Sequence, residues 1–393
     1  MVTGHLQQKK GHYYAVLNIR NETGQRSQKW IATGLEIKGN KKRAEAVLRS
    51  TISEYEAARP QQENKSEDIL FADYMLNWLE MMRSNLEDST FTSYRHHVKK
   101  VIDPYFRNLG VSLGALQAKH IQSFYLYLLS ERGNSPATVK RFHANIRKAL
   151  QQAVKTDMIP TNPADKVDKP RQWHYTASFY DEVSLNLLLE KARGTRHELA
   201  ILVAACYGLR RSEVLGLRWD SIDFQGKTVS IFHTVTSASD DSGHQYLVQK
   251  NRPKNRASHR TLPLIARVEE ALLSRQAQIK SNVQLCGSGY CQAYSDYVFV
   301  NDLGNLIRPE YLSRGLQEII ERHGLRKIRF HDLRHSCASL LLKNGISMKA
   351  IQEWLGHSSY ATTANIYAHL DYDAKIASAE KIAQLLPGPL AGV

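Results

Sequence analysis

With 393 residues and 42% hydrophobic content, the chain is long enough for two to four domains with ordinary cores. A formal net charge of +15 points to a polyanionic partner, nucleic acid first, with a merely solvated basic surface as the alternative. No apolar run approaches the ~20 residues of a membrane span and no charged n-region leads into an apolar h-region, so nothing suggests export.

Basic residues outnumber acidic ones in residues 1–65, 66–170 and 171–393 alike, so no single tail carries the excess. Cys206, Cys286, Cys291 and Cys337 lack the paired CxxC spacing of a zinc site, and a chain of this size needs no disulfide staples; a reducing bacterial cytoplasm is expected.

His12 to Arg20 alternates and is rich in aromatic and branched residues; a turn at 21–25 follows, and Lys29 to Thr33 resumes the extended pattern. This predicts a hairpin with a third short strand at Leu35 to Ile37, then a helix from Lys41 to Ala58 with Ala44, Val47, Leu48 and Ile52 on one face. Such a sheet, carrying Arg20 and Lys29, suits strands laid into a DNA groove; a solubilising appendage is the plainer reading. Residues 60–67 read as a linker.

Residues 68–160 are helical in pattern, with apolar stripes through Phe71, Tyr74 and Trp78, through Phe91, Tyr94 and Val98, through Ile121, Phe124 and Leu128, and through Val139, Phe142 and Ile146. These stripes are core rather than a cofactor box. Arg95, Lys99, Lys140, Arg141 and Arg147 are placed to neutralise phosphates along one side of a duplex. Pro160 to Arg171 breaks the pattern.

Beyond that break, Ser184 to Lys191 and Leu199 to Tyr207 read as helices, the second apolar enough to be buried. Gly208 ends it, and Arg210 to Glu213 opens the next, where Glu213 can orient Arg210 by ion pairing; a surface arginine pair at a helix start is the simpler reading of this stretch alone. Strands are predicted at Thr228 to Val235, Gln245 to Gln249 and Thr261 to Leu264, with a basic turn over 250–256 that contains Lys254, and a loop at Cys286 to Tyr297. A helix over Tyr311 to His323 leads to the last seventy residues.

There, an apolar run to Leu342 closed by Gly345 predicts a helix whose start carries His331, Arg334 and His335 at i, i+3 and i+4. Ser347 caps a second helix that Gly356 ends, leaving His357 in the turn beyond it, and a short third helix after Thr362 carries Tyr367. Arginine grips two phosphate oxygens, histidine donates or moves a proton, and tyrosine becomes a nucleophile when helped to lose its proton. Together they suit attack on a phosphodiester. Taken singly, each residue has a commoner explanation as core or surface.

The order and spacing of Tyr207 to Glu213, Lys254 before Arg260 to Leu264, His331 to His335, Leu355 to Ser358 and Asn365 to Tyr367 resemble the signatures of tyrosine recombinases, over about 190 residues. The helical middle and N-terminal sheet resemble the core-binding and arm-binding domains of phage and conjugative-transposon integrases. The expected chain is therefore multidomain, mainly α with small β-sheets. A three-stranded sheet plus helix over 1–62 would read arm-type DNA, a helical SAM-like domain over 66–165 would bind the core site, and a mixed α+β catalytic domain with a docking tail would fill 172–393.

The resemblance further implies that Tyr367 attacks a DNA phosphate while Arg210 and Arg334 hold its non-bridging oxygens. His331 and His357 would donate hydrogen bonds and assist the nucleophile, Lys254 would protonate the leaving oxygen, and Glu213 would steady the arginine side of the pocket. It calls for no cofactor and no metal. Its expected partners are double-stranded attachment sites, three further copies of the chain, a small basic excision factor and a host DNA-bending protein. Rival readings are a DNA-binding repressor with an inert Tyr367, a metalloenzyme using His331, His335, His357 and His369, and a type IB topoisomerase.

Overall fold

In the computed structural model, which describes residues 3–20, 26–58, 69–171, 179–251 and 259–357 together with 379, 380 and 382, the N-terminal sheet is antiparallel and runs in the order β1 (Thr3–Lys9), β2 (His12–Arg20), β3 (Arg26–Glu36). The central strand β2 buries Tyr13, Ala15, Val16 and Leu17, and α1 (Lys41–Ala58) closes over it with Ala44 fully buried. Gly4 permits that approach, since a Cβ there would lie 2.9 Å from the Val16 carbonyl oxygen and 3.1 Å from a Leu48 methyl. The third strand is thus Thr3–Lys9, whereas the sequence predicted one at Leu35 to Ile37; Leu35 instead falls within the long β3. The polar, largely exposed β1 has no apolar alternation to announce it.

The helical region comprises α2 (Phe71–Met81), α3 (Asp88–His97), a π-helical turn Val98–Ile102, α4 (Asp103–Leu109), α5 (Ala118–Ser130) and α6 (Pro136–Lys155). The predicted stripes are its core: Phe71, Met75, Ile102, Phe106, Ile121, Phe124, Val139 and Ile146 are all buried. Phe71 meets Phe106 edge-on at 4.7 Å between centroids, and the Tyr74 hydroxyl donates to the Ala149 carbonyl at 2.7 Å. Ser135 caps α6 by accepting from the Thr138 N–H, with Pro136 at the first helical position, where the missing N–H costs nothing.

The chain divides into two compact units, Met1–Asn77 with Ile102–Lys169, and Trp78–Val101 with Pro170–Val393. The second unit is built on α7 (Glu182–Lys191), α8 (Glu198–Tyr207) and α9 (Arg211–Leu215), followed by β4 (Ile222–Asp223) and β5 (Thr228–Ile231). A hairpin of β6 (Thr234–Ser239) and β7 (Gln245–Lys250) comes next, then β8 (Arg260–Pro263), which completes an antiparallel sheet in the order β4-β5-β8. The helices α10 (Ala266–Cys286), α11 (Pro309–Arg322), α12 (Asp332–Lys343) and α13 (Met348–Leu355) follow.

The single strand predicted over Thr228 to Val235 is two strands serving two sheets, because the chain breaks at His233. That imidazole is buried, with Nε2 at 2.7 Å from the Tyr297 hydroxyl and Nδ1 at 2.7 Å from Asn251 Oδ1. Gly216 lies against the same point: a Cβ there would come within 2.4 Å of the His233 carbonyl oxygen. The 21-residue α10 was not foreseen, since of its residues only Val268 and Leu272 are buried and the apolar periodicity is thin. Helix α8 is buried from Ala200 to Ala205, as its composition requires, and packs against α12. Among the described residues no helix is long and apolar enough to cross a membrane. The predicted third helix after Thr362, with Tyr367, and the basic turn with Lys254 lie outside the described residues.

Candidate active site

Two arginines converge on the two residues that follow α13. Gly208 ends α8 at φ +60°, and its carbonyl accepts from Arg334 Nη1 at 2.7 Å. Arg334 comes from the first turn of α12, and its side chain is 1% exposed. Its Nε–H points at His357 Nε2, 3.2 Å away. From the start of α9, Arg210 reaches the carbonyl of Gly356 through Nη2 at 3.4 Å. Gly356 itself adopts the left-handed conformation that closes α13, which is what turns His357 back toward the arginines.

Glu213 fixes Arg210 from beneath. Its Oε1 accepts from Arg210 Nη1 at 2.6 Å, and its Oε2 accepts the Arg210 backbone N–H at 3.0 Å. A third donor arrives from β8, Arg260 Nη2 at 3.1 Å from Oε2. Burial alone would push this carboxyl up; the guanidinium of Arg260, then that of Arg210, outweighs it and holds Glu213 ionised below the usual carboxylate range. The Arg210 side chain is 34% exposed, held by Glu213 through Nη1 and turned toward the Gly356 carbonyl through Nη2.

His331 sits at the N-cap of α12, and its ring meets that of His335 at 5.2 Å, as the i, i+4 spacing predicted. Asp332 anchors this turn: almost fully buried, it accepts from the Arg329 backbone N–H and Nη2, both at 2.7 Å. His331 reaches solvent, yet partial burial of its ring, then His335, Arg334 and Arg210, lowers it to about 4. Burial, then Arg334 and Arg210, takes His357 to about 3. Both rings are therefore neutral near pH 7, and each keeps one N–H to donate.

A cleft of about 930 Å³ opens beside these groups, with Arg210, Arg211, Lys327, Arg329 and His331 among its walls. Neutral donors and fixed cations at the edge of a basic cleft stabilise an anion that gains charge as it reacts. Arg210, Glu213, His331, Arg334 and His357 are thus brought together. Lys254 and Tyr367 lie outside the described residues; β7, which leads to the Lys254 segment, is tied down by Tyr297 donating to Gln249 Oε1 at 2.9 Å. Among the described residues no group of three His, Cys, Asp or Glu side chains could hold a metal ion. His331, His335 and His357 are interleaved with guanidiniums instead.

The expected DNA-contacting residues divide. Lys29 on β3 and Arg141 and Arg147 on α6 are exposed, although Arg147 pairs with Asp165 at 2.6 Å, and Lys140 is half-buried. The Arg20 side chain falls outside the described part. Arg95 corrects its expectation: it is 8% exposed and turned into the protein, donating to the carbonyl and hydroxyl of Ser239 and to Asp241 at 3.0 Å. Lys99 is exposed but lies 3.7 Å from the same Asp241 carboxylate. Two functional features went unread in the sequence. Arg260 stands in a strand motif with no role of its own, and no signal marks the hairpin tip at Asp241.

Known proteins resemble this chain in sequence and fold. Residues 179–374 match the phage integrase family and residues 70–169 its SAM-like domain. The tyrosine recombinase XerC of Pediococcus pentosaceus is 30% identical over 253 residues, 63% of this chain and 75% of that protein. The ICEBs1 integrase of Bacillus subtilis is 25% identical over 350 residues, covering 87% and 89%. The fold is shared with the Tn1549 transposon integrase solved with a circular intermediate DNA, at a TM-score of 0.65 and 20% identity, over 80% of this chain and 99% of that one. On these matches the chain belongs to the phage integrase family and is a tyrosine recombinase, an enzyme that cuts and rejoins DNA through a tyrosine intermediate without metal or ATP.

Proposed function

We propose that this recombinase is the integrase of a mobile genetic element, of the conjugative-transposon or phage kind, and that Tyr367 is its nucleophile. The phenolic oxygen, giving its proton to the neutral His331 imidazole, attacks the scissile phosphorus, the bond from phosphorus to the 5′ oxygen breaks, and Lys254 gives the departing oxygen its proton. The products are a 3′-phosphotyrosyl ester and a free 5′-hydroxyl. Arg210 and Arg334 grip the non-bridging oxygens, and His331 and His357 donate through neutral N–H groups. Because the new ester keeps the energy of the old one, the 5′-hydroxyl of another strand reverses the attack and joins the exchanged ends.

The observation that carries this reading is the meeting of Arg210 and Arg334 at Gly356 and His357, ten residues before Tyr367 in the sequence. Four copies would synapse two attachment sites, the N-terminal sheet would read arm-type sites, and residues beyond Ala374 would dock on a neighbouring copy. A small basic excision factor and a host bending protein would set direction, in a bacterial cytoplasm. Incubation with a nicked suicide attachment site tests the chemistry. A covalent protein–DNA band on a denaturing gel, lost in Tyr367→Phe, is expected; a band that persists in that variant overturns the assignment of the nucleophile.

A further inference from the structure

Arg260 occupies the first inward-facing position of β8, with Leu262 next on the same face. A strand interior normally takes an apolar residue there, and a buried cation is tolerated only with a partner. The side chain is 6% exposed and its partner is Glu213, itself 1% exposed. Stability alone gives no reason for this choice, because well-packed apolar residues usually replace a buried ion pair at no loss.

What the pair accomplishes is visible at the next contact. Glu213 faces two cations, Arg210 on Oε1 and Arg260 on Oε2, and also accepts the Arg210 backbone N–H. With Arg260 holding Oε2, the carboxylate plane is fixed and Oε1 is presented to Arg210 Nη1. Without it, Oε2 keeps only the Arg210 backbone N–H, and the carboxylate that braces the one-third-exposed Arg210 is held less firmly.

We propose that Arg260 is a positioning residue for DNA cleavage: acting through Glu213, it holds the Arg210 guanidinium where it meets a non-bridging oxygen of the scissile phosphate. This rests on the reading of Arg210 as a phosphate ligand given above. Arg260 does not touch the DNA in this scheme, and its effect should follow the charge on the phosphate.

Single-turnover cleavage of a suicide site is compared for the full-length protein, Arg210→Ala, Arg260→Met and Arg260→Lys. Each is tested on a normal phosphodiester and on a neutral methylphosphonate at the scissile position. Arg260→Met is expected to cleave the phosphodiester about 10- to 100-fold more slowly at saturating protein, with DNA affinity within about 2-fold of the parent. Arg260→Lys should recover most of that loss. On the methylphosphonate, which lacks the charge that Arg210 answers, the deficits of Arg260→Met and Arg210→Ala should both shrink.

Equal deficits of Arg260→Met on the two substrates, with Arg210→Ala still selective for the charged one, would mean a merely structural role and overturn the proposal. Parent-like cleavage of the phosphodiester by Arg210→Ala would instead remove the underlying reading of Arg210. Should Arg260→Met fail to fold, Arg260→Lys carries the same comparison: a small loss confined to the phosphodiester supports the proposal, and a loss equal on both substrates overturns it.

Discussion

Arg334 Nε lies 3.2 Å from His357 Nε2, in a pocket where both side chains are buried. A guanidinium can only donate, so the imidazole nitrogen facing it accepts and the ring proton resides on Nδ1. The arginine thereby selects the Nδ1-protonated tautomer. Protonating the ring would set two cations against each other.

A stability consequence follows for acid pH. His357 falls to about 3 in the folded protein against about 6.5 when unfolded, so the fold favours the neutral ring. Its contribution is complete above pH 6.5 and is lost as pH drops toward 3 while the unfolded chain takes up the proton. By pH 5 the loss is about 2 kcal/mol. Thermal melts at pH 7 and pH 5 should therefore separate less in His357→Asn than in the parent protein. Identical separations would contradict the buried neutral ring.

Gly208 ties the backbone to the same arginine. Its φ is +60°, and a Cβ there would come within 2.2 Å of a Leu355 methyl, while its carbonyl holds Arg334 Nη1. Gly208→Ala should cost about 1 kcal/mol for the left-handed backbone and about 1–3 kcal/mol for overpacking. Urea melts measure the stability loss, and cleavage at a temperature where the variant remains folded should still fall, because the Arg334 anchor has moved. A variant as stable as the parent would sink the packing argument.

Much of this pocket was legible because its signals are local. Gly208 after a buried apolar helix announces a turn, Arg210 and Glu213 stand three apart, and His331, Arg334 and His335 share a helical spacing. What could not be read depends on pairing at long range. Arg95 looks like any exposed helical cation until Ser239, 144 residues away, is seen accepting from it. Arg260 opens a short strand motif with nothing local to show which face it takes, until the β8 alternation turns it inward, toward a carboxylate 47 residues back. Strand β1 and helix α10 carry too few buried apolar residues for periodicity to register.

The contrast between Arg95 and Arg141 is measurable in salt titrations of DNA binding. An exposed cation that neutralises a phosphate contributes about one unit of the log–log salt slope, whereas a guanidinium already paired inside the protein contributes none. Arg141→Ala should therefore lower the slope by about 1, and Arg95→Ala should leave it unchanged while destabilising the protein through loss of the Ser239 and Asp241 contacts. A drop in slope for Arg95→Ala would show that it leaves Asp241 for DNA.

The leaving-group proton supplies the last test. Lys250 is engaged by Glu87 and lies 3.7 Å from Asp88, so its pairing has to break before it could serve as the acid in place of the proposed Lys254. An alkoxide leaves poorly without a proton, but a thiolate, with a thiol pKa near 8.5, leaves unaided. Lys254→Ala should thus be slow on a normal suicide site and close to the parent on one with sulfur at the 5′-bridging position. Lys250→Ala should show no such selective rescue. If sulfur rescues neither variant, the proton comes from another group; if it rescues Lys250→Ala instead, the acid is Lys250 and its pairing with Glu87 must break on the DNA.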